Sequence, residues 1–203
     1  MTPESFAACA LDAFETDIRN DLAGRVKPYT TLELEVGSGN GKFLVEHALE
    51  RPDVFFIGLE WSLKAINKSI IKAYKRSLKN LVFIHGEAVA VITDVLLNTY
   101  TFDTVYLNFP DPWPKKRHNK RRIVSDEFVA SVRNLLADNG RFFLVTDDEE
   151  YATTVMAPVM ERSAFNNTLS TPWAHELQEY KQTLYEHKMR SAGKNIYYFS
   201  YVK

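Results

Sequence analysis

The chain has 203 residues, 45% of them apolar, and a formal net charge of −1. This excludes a globally disordered chain and suits one packed domain. A net charge near zero gives no sign of nucleic acid, so any such sign must come from how the charge is distributed. The single cysteine, Cys9, excludes an intrachain disulfide and with it a disulfide-stapled secreted scaffold. The N-terminal acids Glu4, Asp12, Glu15 and Asp17 do not make the basic leader of a signal peptide. The longest strong apolar run, Val54 to Leu59, is far short of the ~20 residues that span a bilayer. The expectation is a soluble cytoplasmic protein: a single domain over 1–203, with 1–27 as an N-terminal helical extension.

Leu11, Phe14, Ile18 and Leu22 recur at helical spacing and predict an amphipathic first helix. Thr31 to Val36 alternates and runs into Gly-Ser-Gly-Asn-Gly, a strand followed by a tight turn. A helix over 41–50, stopped before Pro52, leads to a second strand, Val54 to Glu60. Ser62 caps a helix from Leu63 to Leu78. A third strand, Leu81 to His85, a helix near 88–98 and a fourth strand, Thr104 to Asn108, follow. Residues 109–122 form a loop with three prolines and a basic run. Ser125 caps a helix to Leu136, a turn occupies Asp138-Asn139-Gly140, and Arg141 to Thr146 is a fifth strand. A helix to about Arg162 and a β-prone tail, Ile196 to Val202, complete the chain. Alternating helices and apolar strands predict an α/β fold with a parallel sheet and helices on both faces. Ligands of such folds sit at the carboxyl ends of strands.

Three strand-end segments carry chemistry. The first is Glu35-Val36-Gly37-Ser38-Gly39-Asn40-Gly41. Its glycines let backbone pass close to a ligand, but a dinucleotide fingerprint needs a third glycine where Lys42 stands. The turn therefore fits S-adenosylmethionine, which has no pyrophosphate, better than NAD. The second is Glu60, whose carboxylate can accept from ribose hydroxyls. Glu87 reads equally as an adenine contact and as a solvated loop acid. The third runs from Asn108 through Phe109-Pro110-Asp111-Pro112-Trp113-Pro114 to Lys115-Lys116-Arg117-His118-Asn119-Lys120-Arg121-Arg122. Two prolines bracket Asp111, Trp113 offers a stacking face, and six of the last eight residues are basic, a pattern for phosphate contacts. Lys64, Lys68, Lys72, Lys75, Arg76 and Lys79 read as a solvated helix face. Histidines 47, 85, 118, 175 and 187 show no metal-ligand spacing.

These residues resemble the bacterial tRNA (guanine-N7-)-methyltransferases from about residue 30 onward. The matching segments are LELEVGSGNG, FIGLEWS, NLVFIHGEA, YLNFPDPWPKKRHNKRR, LVTDDEEYA and TLYEHKMRSAGKNIY. The resemblance implies a Rossmann-like methyltransferase fold, its sheet seven-stranded and mostly parallel with an antiparallel last strand. It implies S-adenosylmethionine as cofactor, no metal, and tRNA as partner, with guanine 46 of the variable loop as the target. Glu35, Gly37, Gly39, Gly41, Glu60, Glu87 and Asp111 would line the cofactor site, and Asp111 would be the catalytic acid residue. Lys115, Asp147 and the segment Thr183, Leu184, Tyr185, Glu186 would contact the substrate. Arg117, His118, Asn119, Lys120, Arg121 and Arg122 would contact RNA. Three departures stand out: Glu87 where the family commonly has Asp, Leu184 and Tyr185 where it has Lys and Phe, and a short N-terminal extension. Rival readings are an exocyclic-amine methyltransferase, whose strand-end motif Asn108 to Trp113 faintly echoes, a non-catalytic RNA-binding protein on a retained methyltransferase fold, and an NAD oxidoreductase, which Lys42 disfavours.

Overall fold

The computed structural model describes residues 10–13 and 18–203. Cys9, Phe14 and the acids Glu4, Glu15 and Asp17 lie outside the described residues. The chain divides into two compact units, 1–104 and 105–203.

The first unit contains β1 (Ala10–Asp12), α1 (Ile18–Val26), β2 (Thr31–Val36), α2 (Lys42–Glu50), β3 (Val54–Glu60), α3 (Leu63–Tyr74), β4 (Leu81–His85) and α4 (Ala88–Val91), which widens into a π turn over Ile92–Leu96. Its strands stand in the order β1-β4-β3-β2, all parallel. Leu11, expected on the first helix, belongs instead to β1 and pairs with Ile84. Ile18 and Leu22 do form the buried face of α1. A three-residue strand carries too little alternation to be read apart from the helical spacing that follows it.

β2, β3 and β4 are apolar along almost their whole length because both faces are covered. Glu35 stands opposite Gly58, Gly58 opposite Phe83, and Glu60 opposite His85. This register levels the carboxyl ends of the three strands. Asn80, 5% exposed, ties their other ends. Its side-chain amide donates to the carbonyls of Ala48, Arg51 and Val54, each at 3.0 Å. Ser62 Oγ accepts from the Ala65 N–H and caps α3.

The boundary between the units falls inside β5 (Phe102–Asn108). The second unit continues with a 3₁₀ turn (Lys116–Arg121), α5 (Asp126–Leu135), β6 (Leu136–Thr146), α6 (Glu149–Tyr151, a π turn Ala152–Met156, then Ala157–Glu161), β7 (Asn166–Asn167), α7 (Leu184–Ser191) and β8 (Tyr197–Val202). Its strands stand in the order β5-β6-β8-β7, with β8 antiparallel to both β6 and β7. The expected antiparallel last strand is β8. The described residues form eight strands where seven were expected, and two of the eight, β1 and β7, are only three and two residues long. The expected turn at 138–140 survives inside β6 as a left-handed Asn139 (φ 65°). β6 pairs with β8 from Arg141 onward. Among the described residues, no helix is long and apolar enough to cross a membrane.

Gly58 leaves no room for a side chain. A Cβ there would lie 2.7 Å from Phe83 Cδ1, 2.8 Å from Leu44 Cδ1 and 2.9 Å from Ser38 Oγ. Gly58→Ala is therefore expected to destabilise by about 1–3 kcal/mol through overpacking, read as a lower urea midpoint at unchanged m-value. An unshifted midpoint would refute the tight packing of β3 against α2.

Candidate active site

In the first unit, β2 delivers Glu35, 3% exposed, to its carboxyl end. The chain then turns through Gly37, Gly39 and Gly41, whose φ angles are 77°, 54° and 69°, values that side chains disfavour. At Gly37 and Gly39 a Cβ would meet nothing within 4 Å, so the turn faces open space. At Gly41 a Cβ would come within 2.6 Å of Phe83 Cζ and Ser69 Cβ, so this glycine serves close packing. The turn is anchored to β3: the N–H groups of Gly37 and Ser38 both donate to the Leu59 carbonyl, at 2.9 and 2.8 Å.

Glu60 braces the same turn. Its Oε2 accepts from the Gly39 N–H and its Oε1 from the Ser62 N–H, both at 2.8 Å. Ser69 Oγ donates to the Gly39 carbonyl at 3.2 Å, and Lys72 Nζ donates to the Asn40 carbonyl at 2.7 Å. Burial, then the charges of Lys68, Arg76 and Lys42, lower the Lys72 ammonium below its ordinary value. Lys64, Lys68, Lys75, Arg76 and Lys79 are exposed, as a solvated face requires, but Lys72 is drawn to the glycine turn. Glu87 caps α4, accepting from the N–H groups of Val89 (3.2 Å) and Ala90 (2.9 Å). Gly86 donates its N–H to the Glu60 carbonyl at 3.1 Å, which places Glu87 on the same rim.

These residues fit a nucleoside cofactor. The left-handed turn is open at Gly37 and Gly39, and Ser38 Oγ is buried there without a hydrogen-bond partner among the described residues. Each Glu60 oxygen retains a lone pair for a ribose hydroxyl. Trp61, 62% exposed, follows Glu60 and stacks on His85 at 6.0 Å, which gives the rim an aromatic face. Ser69 and Trp61 carry no signal of their own in the sequence, Ser38 reads only as part of the glycine turn, and Lys72, expected on a solvated face, is instead held at that turn.

In the second unit, β5 delivers Asn108 to a loop held in an unusual conformation. Phe109 and Trp113 take left-handed φ values of 50° and 44°. The Phe109 N–H donates to the Val145 carbonyl at 2.8 Å. Arg122 closes the loop: its Nε donates to the Pro112 carbonyl at 2.8 Å and its Nη2 to the Trp113 carbonyl at 3.2 Å. The guanidinium also sits 5.7 Å from the centre of the Tyr151 ring. Tyr151 is buried, its hydroxyl accepts from the Val124 N–H, and burial pushes its phenol up to about 12. Arg122, expected on RNA, is thus turned inward to the loop backbone. Asp111, Lys115, Arg117, Asn119, Lys120 and Arg121 are exposed, while His118 is half-buried against Trp113. Arg121 lies over Trp113 at 5.0 Å.

α7 brings the remaining residues together. Thr183 is its N-cap and accepts from the Glu186 N–H at 3.0 Å. The Glu186 side chain is fully buried and receives Arg190 Nε at 2.9 Å and the Tyr198 hydroxyl. Burial, then the Glu186 carboxylate, raise the Tyr198 phenol above its ordinary value. Thr183 and Glu186 Oε1 thus hold the segment together, while Glu186 Oε2 is buried without a hydrogen-bond partner among the described residues, and Leu184 and Tyr185 are exposed at 53% and 46%. The Tyr185 ring rests on Phe109 at 4.8 Å. Burial, then the negative charges of Asp147 and Asp111 against the opposing charge of Lys194, raise its phenol. Asp147, just past β6, accepts from Lys194 Nζ at 2.9 Å. Among the described residues, no group of His, Cys, Asp and Glu is gathered as a metal site requires.

A strand-end glycine turn beside a braced acid, on this α/β topology, defines a methyltransferase fold. Solved structures agree. The chain superposes on the 16S rRNA methyltransferase KamB with a TM-score of 0.65 at 14% identity, covering 90% of this chain and 92% of that one. It superposes on an antibiotic-related methyltransferase with a TM-score of 0.64 at 18% identity, covering 91% and 93%. Residues 30–199 match the family described as "Putative methyltransferase". The tRNA (guanine-N(7)-)-methyltransferase of Leptospira interrogans is 35% identical over 87% of this chain and 80% of its own length. That of Ureaplasma urealyticum is 42% identical over 65% of this chain, and the match spans 58% of its own length. The chain is an enzyme and belongs to the tRNA (guanine-N7-)-methyltransferase family.

The inward turn of Arg122 separates it from the exposed cations beside it. Arg122→Ala is expected to destabilise by about 1–2 kcal/mol, from two lost carbonyl bonds and a cation–π contact. Arg117→Ala is expected to stay within about 0.5 kcal/mol of the parent. Urea unfolding of both variants checks this, and equal midpoints would contradict the brace.

Proposed function

We propose that this enzyme transfers the methyl group of S-adenosyl-L-methionine to N7 of a guanine in tRNA, giving 7-methylguanosine, with guanine 46 of the variable loop as the target and the cytoplasm as its place of action. The observation that carries this reading is the Pro110–Pro114 loop. It holds Asp111 exposed beside exposed cations, in a chain 35% identical to a relative of that name. Glu35, the turn Gly37, Gly39, Gly41 and Glu60 hold the cofactor, Glu60 through its free lone pairs on the ribose hydroxyls. Glu87 fixes the rim near the adenine end through its cap of α4. Lys115, Arg117, Lys120 and Arg121, all exposed, supply phosphate contacts, with His118 and Asn119 among them.

When bound, S-adenosylmethionine supplies an electrophilic methyl on a sulfonium sulfur. Guanine N7 carries an in-plane lone pair and no proton, so it attacks that methyl in line without a general base. Transfer of that methyl would leave the electron pair on sulfur and the positive charge on the purine, so the residues around the base would face a cation. The protein's part is then orientation, which can contribute up to about 7–11 kcal/mol, and stabilisation of a developing cation. Asp111 meets the second need by placing a carboxylate where ring charge builds up. Tyr185, resting on Phe109, offers a face on which a splayed base can stack.

Labelled S-adenosylmethionine and unmodified tRNA transcripts test the reading. The label is expected in 7-methylguanosine after nucleoside digestion, and Asp111→Ala is expected to be slower by about a hundredfold or more. Label in another nucleoside would overturn the N7 assignment, and an unimpaired Asp111→Ala would remove its role. In the same preparations, Arg117→Ala combined with Arg121→Ala is expected to lower the salt slope of tRNA binding by about 1–2. An unchanged slope would count against phosphate contacts at these positions.

A further inference from the structure

The ion pair between Asp147 and Lys194 is built with more care than a surface pair needs. α7 ends in a Schellman motif. The Gly193 N–H donates to the Arg190 carbonyl at 2.9 Å and the Lys194 N–H to the Met189 carbonyl at 3.1 Å, while Gly193 takes a φ of 77°. This reversal throws Lys194 back toward the end of β6, where its Nζ lies 2.9 Å from Asp147 Oδ2. The Asp147 side chain is only 12% exposed, whereas that of Lys194 is 52% exposed. An open lysine of this kind contributes little to stability, so the pair is not explained by folding. Beside it stands the exposed Tyr185, close enough to interact electrostatically with both Asp147 and Lys194.

The pair presents an acceptor next to a donor. A carboxylate only accepts, and an ammonium holding one carboxylate still has two hydrogens to donate. The Watson–Crick edge of guanine is the complement, with the N1–H donor next to the O6 acceptor. Adenine reverses the two, with an acceptor at N1 and a donor at position 6. Docking on that edge leaves N7 untouched on the far side of O6. We propose that the Asp147–Lys194 pair reads the Watson–Crick edge of the target guanine. Lys194 donates to O6 and Asp147 accepts from N1–H, which makes Lys194 a specificity-determining residue for the reaction. This rests on the reading of the enzyme as a guanine-N7 methyltransferase.

The test uses the full chain, labelled S-adenosylmethionine, and tRNA transcripts carrying guanine or 6-thioguanine at the methylated position. Sulfur accepts hydrogen bonds poorly, while N1–H and N7 are kept. Lys194→Ala is expected to lower kcat/KM on guanine roughly tenfold to hundredfold, with little further loss on 6-thioguanine. Lys194→Gln, which keeps a donor, is expected to lose less on guanine, and it carries the same comparison should Lys194→Ala fail to fold. Equal losses on the two bases, or no loss on guanine, would overturn the assignment of Lys194. A wild-type enzyme that makes no 7-methylguanosine would instead overturn the functional reading beneath it.

Discussion

The first unit depends on one carboxylate. Glu60 ends β3 with both oxygens on backbone N–H groups, one from Gly39 and one from Ser62. Hydrogen bonds to a charged acceptor are worth about 1.5–3 kcal/mol each. They are needed here because the three left-handed glycines lose more chain entropy than any other residue would. The Glu60 carbonyl meanwhile receives the Gly86 N–H, so one residue fixes the glycine turn, the start of α3 and the approach to Glu87. The parallel register of β2, β3 and β4 makes this possible by bringing their carboxyl ends level. A residue shifted by one place would point its carboxylate into the opposite face of the sheet.

The second unit solves the same problem with opposite charge. Left-handed Phe109 and Trp113 cost about 1–3 kcal/mol each. They persist because the Phe109 N–H is tied to β6 and because Arg122 holds the carbonyls of Pro112 and Trp113. The guanidinium fork suits this task, since two donors in one plane reach two carbonyls, which an ammonium cannot match. A run of like charges is thereby divided: Arg122 works inward, and Arg117, Lys120 and Arg121 remain in solvent.

Much of this was legible in the sequence where a residue's type dictates its conformation. Three glycines after an alternating strand are in left-handed backbone, and the strands Thr31–Val36, Val54–Glu60 and Leu81–His85 fall where apolar pattern and turns bound them. What was not legible is the choice of partner. Arg122 and Arg121 are neighbours of the same type, yet one holds two carbonyls and the other lies exposed over the Trp113 ring. Thr183 and Glu186 match a substrate segment by resemblance, but their spacing of three also makes an N-cap, and the structure uses it so. Tyr180 is buried against Tyr106, Phe143 and Tyr198, with its hydroxyl on Asn108. Nothing in an irregular loop marks such a residue in advance. β1 was hidden for the same reason, since pairing with β4 is a tertiary event that three residues cannot announce.

The chemistry explains why so much of the structure is devoted to holding things still. An exocyclic-amine methyltransferase must lose a proton as the new bond forms, and its site must provide for that proton. An N7 nucleophile has none to lose, so a carboxylate near it is free to act as a fixed charge and an acceptor. Orientation of the reactants then carries much of the rate. Devices that do nothing but fix backbone, such as Arg122 on two carbonyls and Gly193 reversing the chain into Lys194, are what such a reaction asks of its protein. A misplacement of the bound base by about 1 Å can itself cost about a hundredfold in rate.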